Sequence, residues 1–158
     1  MTATNLLANQ YTNEVYSALL YHAIGAWFEI NNLDNLGAWF HHHADEELAH
    51  ADKMYHHLLD RGLYPAFTPI PAIDPKGFGD GLGCFTAALA HEQRVTKWIN
   101  DIAEAASKER DHVTYTFIQP FILEQVEEED ALSMYIGQIN MSGNPPLALF
   151  MLNLEIEV

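Results

Sequence analysis

Glu47 and His50, in the run Ala44-Asp45-Glu46-Glu47-Leu48-Ala49-His50, form a Glu-x-x-His pair inside a long helical pattern. That spacing puts both side chains on one helical face about a turn apart, so a carboxylate oxygen and an imidazole nitrogen can reach one cation. Alone, the pair is a common spacing that also occurs on solvated helix faces. Its weight comes from Glu14, Glu92 and Glu128, which fill core-facing positions in three other helical patterns. Burying a carboxylate costs on the order of several kcal/mol, and four close together repel one another as well. Something positive must sit among them. Four negative charges match two divalent cations, with His50 as a neutral nitrogen ligand. Carboxylate and imidazole without sulfur suit iron or manganese, and zinc would bind by geometry alone.

The symmetric version of such a site takes a Glu from each of two helices and a Glu-x-x-His from each of the other two. Here the last long helix offers Gln125-Val126-Glu127-Glu128 instead. One metal therefore receives the imidazole, and the other receives carboxylates with a weak amide oxygen from Gln125. A loosely held second metal favours iron in transit over a retained oxidising centre. Glu46, Glu124 and Glu127 lie one position off the core stripe and make a candidate third site, whereas Glu129 and Asp130 read as solvated charges.

The elements that must position these groups follow from hydrophobic periodicity. Leu7, Tyr11, Ala18, Tyr21, Gly25 and Phe28 stripe a helix over about 4–31, with Glu14 in the stripe. Leu36, Phe40, His43, Met54 and Leu58 stripe a second over about 34–61, ended by Gly62. Pro65, Pro69, Pro71, Pro75, Gly77, Gly79 and Gly81 forbid a regular helix through the crossover 62–81. A connection of that length lets the second and third helices run parallel. The third helix, about 82–107, stripes Phe85, Leu89, Val95, Ile99 and Ala103 around Glu92; the fourth, about 113–140, turns Ile118, Phe121, Gln125, Glu128, Leu132 and Ile136 inward. Asn144-Pro145-Pro146 breaks the chain, and the apolar tail 145–158 is expected to pack on the bundle or at a subunit contact. The expected fold class is all-α, a four-helix bundle with one long crossover between helices 2 and 3 and a short C-terminal fifth helix or tail.

Composition narrows the partners. The 158 residues carry 22 acids against 7 Lys and Arg, a formal charge of -15, which disfavours nucleic acid and favours cations. Cys84 is the only cysteine, so an intrachain disulfide and a cysteine-based zinc cluster are excluded, in keeping with a reducing compartment. The N-terminal run has no basic segment followed by an apolar one, and no apolar run approaches the ~18 residues that suggest a membrane span. A cytoplasmic protein without a membrane partner is expected. His41, His42, His56 and His57 read as solvated or interface histidines, Trp27, Trp39 and Trp98 as packing residues, and Arg94 and Lys97 as partners of nearby acids.

As a set, these motifs resemble the bacterial non-haem ferritins. The resemblance rests on Glu14 followed by Tyr21, on His-Ala-Asp-Glu-Glu-Leu-Ala-His from His43 to His50, and on Ala-His-Glu-Gln-Arg-Val-Thr from Ala90 to Thr96. It also rests on Glu-Gln-Val-Glu-Glu-Glu from Glu124 to Glu129. It spans nearly the whole chain and implies a single ferritin-like di-iron domain over 1–158. It implies a ferroxidase centre of Glu14, Glu47, His50, Glu92, Gln125 and Glu128 holding two irons bridged by Glu47. A third iron site from Glu46, Glu124 and Glu127, shared with Glu128, is implied as well. Tyr21 is similar to the family's tyrosine beside the centre, either a one-electron donor or a core tyrosine using its hydroxyl as a handle. The substrates implied are Fe(II) and O2 or H2O2, and the assembly a homo-oligomeric cage of twenty-four subunits storing ferric oxyhydroxide.

Haem-containing relatives place a methionine after the bridging glutamate, where this chain has Leu48, so no haem is expected. Pro120 inside the fourth helix costs roughly 3 kcal/mol or bends it, and the glycine-rich stretch 77–81 looks loose. The rival readings are a di-metal oxidase or peroxidase that keeps its metals, and a DNA-coating or scaffold protein, against which the acidic balance argues.

Overall fold

The computed structural model describes residues 1–157 of the chain. It contains five α-helices: α1 (Ala3–Ile30), α2 (Asp34–Asp60), α3 (Gly81–Glu109), α4 (His112–Met141) and α5 (Pro145–Glu155). Side-chain caps set most of the starts. Thr2 accepts from the backbone N–H of Asn5, Asp80 from Gly83, Asp111 from Thr114 and Asn144 from Leu147, each satisfying an amide the helix cannot. α2 lacks a cap of its own. Asn153 of α5 supplies it, accepting from the N–H of Leu36 at 3.0 Å while its carbonyl takes the Asn35 side chain at 2.7 Å. The apolar tail is thus a helix whose Ala148, Leu149 and Leu152 are buried on the bundle and whose Asn153 fixes the start of α2.

α1 packs on α2, α3 on α4, and α1 on α3, whereas α2 and α4 stand further apart. Helix directions follow from the ends that meet. The backbone N–H of Ala3 reaches Glu109 at the end of α3, and Arg61 after α2 pairs with Asp111 before α4 at 2.8 Å. α2 and α3 therefore run parallel, as a crossover spanning the bundle requires. Gly25 and Gly37 let α1 and α2 approach closely, since a Cβ on Gly25 would lie 3.1 Å from the Gly37 carbonyl oxygen.

The start of α3 corrects the expectation of a loose glycine stretch. Pro75–Phe78 forms a 3-10 turn capped by Asp74, a Cβ on Gly81 would fall 2.5 Å from Leu149 Cδ1, and just beyond the stretch a Cβ on Gly83 would fall 1.9 Å from the Phe78 carbonyl oxygen. Gly83 is there because the turn presses on the helix. Pro120 lies on the exposed side of α4, and the helix continues through it.

Two apolar clusters fill the bundle. One gathers Phe28, Phe40, Phe85, Trp39 and Leu149 near the α1–α2 turn; the other gathers Leu7, Met54, Leu58, Ile99 and Ile118 toward the opposite end. Between them the interior is polar. Among the described residues no helix is long and apolar enough to cross a membrane.

Candidate metal centre

The polar layer contains three carboxylates removed from water: Glu14 on α1 is 1% exposed, Glu47 on α2 4% and Glu92 on α3 0%. Ligand atoms of Glu14, Glu47 and His50 all lie within 4.8 Å of one another. His50 Nδ1 is 3.3 Å from Glu47 Oε2, and its Nε2 is 3.3 Å from Glu124 Oε2. A second group joins His43, Glu46 and Glu128: His43 Nδ1 is 3.1 Å from Glu46 Oε2 and 3.6 Å from Glu128 Oε1. Glu127 is exposed on α4 and belongs to neither group.

Hydrogen bonds fix the α1 and α3 carboxylates. Gln10 Nε2 donates to Glu14 Oε1 at 2.9 Å, and Asn13 Nδ2 donates to Gln10 Oε1 at 2.9 Å. Gln125, expected to offer an amide oxygen to a metal, instead turns its amide N–H to Glu92 Oε2 at 2.9 Å. The Tyr21 hydroxyl donates to the other Glu92 oxygen. Thr96 donates to Glu129, which is half-buried; the expectation that Glu129 is a solvated charge is corrected, because α3 supplies it with a hydroxyl partner. Glu14 Oε2 is buried without any partner. A carboxylate oxygen that can only accept, enclosed and unpaired, calls for a cation or a proton.

Proton affinities tell the same story. Burial and then the Glu47 charge hold Glu14 well above the usual carboxylate range, and burial followed by the charge of Glu92 does so for Glu47. Burial pushes Glu92 up to about 7, although bonds from Gln125 and Tyr21 pull it back. Burial and the Glu92 charge raise Tyr21, so it stays a neutral phenol. Burial alone would lower His43, but Glu128, Glu46 and Glu92 outweigh it and raise it.

The layer therefore binds protons when it binds no metal, and a pH prediction follows. A raised carboxylate favours the fold below its unfolded value, and that contribution is lost as pH rises through about 7 at Glu92. Without metal, the melting temperature should fall from pH 5.5 to pH 8. Saturating Mn(II) or Zn(II) should raise it more at pH 8, where fewer protons compete. Differential scanning at both pH values checks this; equal metal-induced gains would contradict it.

Other sequence expectations sort themselves. Lys97 pairs with Asp101 at 2.7 Å, but Arg94 lies 3.4 Å from His91 Nδ1 rather than on an acid. His91 is buried, bonded to Ser17 at 2.7 Å, and pushed down to about 4 by burial and Arg94. His57 is not a solvated histidine: its ring stacks on Phe117 with centroids 3.9 Å apart. Cys84 is a buried free thiol, raised to about 12 by burial. Sequence reading gave Gln10 and Thr96 no role, Thr96 appearing only at the end of a motif, and it saw His43 only as a core-stripe and motif residue. Gln10 carried a signal, since it sits four residues before Glu14 on one helix face.

Residues 4–142 match the family described as the Ferritin-like domain. The bacterial non-heme ferritin of Staphylococcus saprophyticus is 34% identical over 151 residues, which cover 95% of this chain and 89% of the relative. That of Escherichia coli O157:H7 is 29% identical over 152 residues, covering 95% and 90%. Among solved structures, an open pore ferritin from the archaeon Archaeoglobus fulgidus superposes with a TM-score of 0.90 at 31% identity, covering 97% of this chain and 94% of that one.

Proposed function

Because the chain belongs to the ferritin family, we propose that it is an iron-storage ferroxidase, taking up Fe(II), oxidising it with dioxygen between the helices and depositing ferric oxyhydroxide inside a cage of its own copies. The observation that carries this reading is the buried triad of Glu14, Glu47 and Glu92 beside His50, with Glu14 Oε2 enclosed and unpaired. Such a group is stable only when cations or protons occupy it, and no acid–base chemistry requires three carboxylates in one dry layer.

In this reading Glu14 and His50 hold one iron, Glu92 and Glu128 hold the other, and Glu47 lies between them. Each Fe(II) gives up one electron, so a pair reduces one O2 by two electrons. H2O2 as oxidant takes the same pair. Gln125 and Tyr21 act on Glu92 rather than on a metal, the role their hydrogen bonds support. Product leaves between α2 and α4, the wider-spaced helix pair, where Glu46, His43, Glu124 and Glu128 line the way. Glu127, on the same helix, extends that acidic path at the surface. The single domain spans the chain, and a cytoplasmic location agrees with its free buried thiol.

His43 gives the transit path an imidazole. His43→Ala should leave the first rapid oxidation of Fe(II) nearly intact but lower the iron retained after repeated aliquots several-fold, because ferric ions clear the centre slowly. Stopped-flow absorbance for the first phase and iron per chain after loading check this. Equal loading of variant and wild type would remove His43 from the path.

A further inference from the structure

We propose that Gln10 and Thr96 are positioning residues that hold Glu14 and Glu92 rigidly, so that the α1–α3 side of the centre stays fixed while the α2–α4 side yields as iron passes. This rests on reading the layer as the ferroxidase centre.

The two sides of the layer are held by different chemistry. Gln10 is buried, and because its Oε1 accepts from Asn13 Nδ2, its Nε2 must face Glu14. The carboxamide ties Glu14 Oε1 and leaves only Oε2 for a cation. Glu92 is treated alike. Gln125 Nε2 donates to Glu92 Oε2, and Thr96 Oγ1 lies 3.3 Å from the same Nε2. Thr96 spends its proton on Glu129, so its oxygen is left to accept from Gln125. The amide thus keeps its N–H on Glu92 whichever ions are present.

Every side-chain donor to Glu14 and Glu92 is neutral, two carboxamides and a phenol, and the Thr96 hydroxyl oxygen accepts from one of those carboxamides. Neutral donors hold a carboxylate without competing for its charge, and they keep their geometry when the charge of a bound ion changes. On the other side, the close side-chain partners of Glu47, Glu128, Glu46 and Glu124 are the imidazoles of His42, His43 and His50 at 3.1 to 3.6 Å, with Glu14 beside Glu47, and these are longer contacts than the 2.9 Å bonds that hold Glu14 and Glu92. A cation changing from Fe(II) to Fe(III) can rearrange these ligands, but it cannot rearrange Glu14 or Glu92 without breaking an anchored amide. Directional release then follows from which half of the ligand set is tied down.

The test uses Co(II), whose visible absorption reports its coordination, titrated anaerobically into the assembled wild-type protein and into Gln10→Leu, Thr96→Val and Thr96→Ser. Each apolar variant should bind Co(II) about tenfold more weakly, the effect of losing an orienting partner of a ligand, with an altered band shape. Thr96→Ser, which keeps the hydroxyl, should restore both. Wild-type spectra and affinity in Gln10→Leu and Thr96→Val would overturn the proposal, as would a Thr96→Ser variant as impaired as Thr96→Val. Should Gln10→Leu fail to fold, the Thr96 pair still decides. Absence of any Co(II) binding by the wild type would instead overturn the metal-centre reading beneath it.

Discussion

Replacing Glu47 by alanine should slow Fe(II) oxidation at least about 100-fold, because even residues that merely orient metal ligands cost up to that much. Glu47 is a carboxylate with neighbours in both halves of the layer. It shares a cluster with Glu14 and His50, and the charges of Glu92 and Glu128 act on it. Removing it leaves two incomplete ligand sets with nothing between them, and a two-electron reduction of O2 needs both irons at once. The loss should appear in the initial rate at saturating Fe(II), followed by absorbance of the ferric product. Stability should move the other way. Without metal, Glu47 is a buried acid pushed well above its usual range, so at pH 8 it burdens the fold. The isosteric Glu47→Gln variant should melt at or above the wild-type temperature in chelator at pH 8. A slow but stable variant is the signature of a site selected for its metal rather than for the fold. Unchanged oxidation kinetics in Glu47→Ala would sink the assignment.

The largest effect on stability is expected at Phe40, where truncation to alanine should cost about 3–5 kcal/mol. Phe40 is fully buried and touches rings from two other helices. It stacks on Phe28 of α1 at 5.4 Å, meets Phe85 of α3 at 5.3 Å and lies 5.8 Å from Tyr21. The rings that line it, Phe28, Phe85, Tyr21 and Trp39, have few rotamers with which to refill the space. The damage should reach the metal layer as well. Tyr21 leans on Phe40 and donates to Glu92, so a shifted phenol loosens that carboxylate. Thermal denaturation of Phe40→Ala, with Phe40→Leu as the volume-sparing control, measures the first effect. A melting temperature within a degree or two of wild type would show that the cluster is not the keystone of this end of the bundle.

Much of this was legible along the chain because helices declare themselves by period. The stripes that placed Leu7, Phe28, Phe40 and Ile118 inside also exposed the acids that interrupt them, and Glu14, Glu47 and Glu92 are indeed buried. The boundaries were close for the same reason: the largest gap is at the end of α3, Glu109 against an expected 107. What periodicity could not supply was the register between helices. Whether Gln125 turns its oxygen to a metal or its N–H to Glu92 depends on Thr96, which sits four residues after Glu92 but on a different helix from Gln125. Glu129 read as one more charge in a run because its partner on α3 was out of view. His43 was seen on the stripe, but its approach to Glu128 across the gap between α2 and α4 required the fold. Gly81 closed a glycine-rich stretch that looked loose, and only Leu149 of α5, 2.5 Å from where its Cβ would lie, shows that this end is tight.

The claim at the centre of this account is that iron is oxidised at the buried layer and then leaves it. It is tested most directly by adding Fe(II) aerobically in repeated aliquots, passing the product through size exclusion, and measuring iron per chain in the protein peak. Iron is expected far in excess of the roughly two ions a di-metal layer can hold, co-eluting with an assembly much larger than one 17.8 kDa chain. Iron that saturates at about two per chain, however long the loading, would contradict it and mark the layer as a retained catalytic centre.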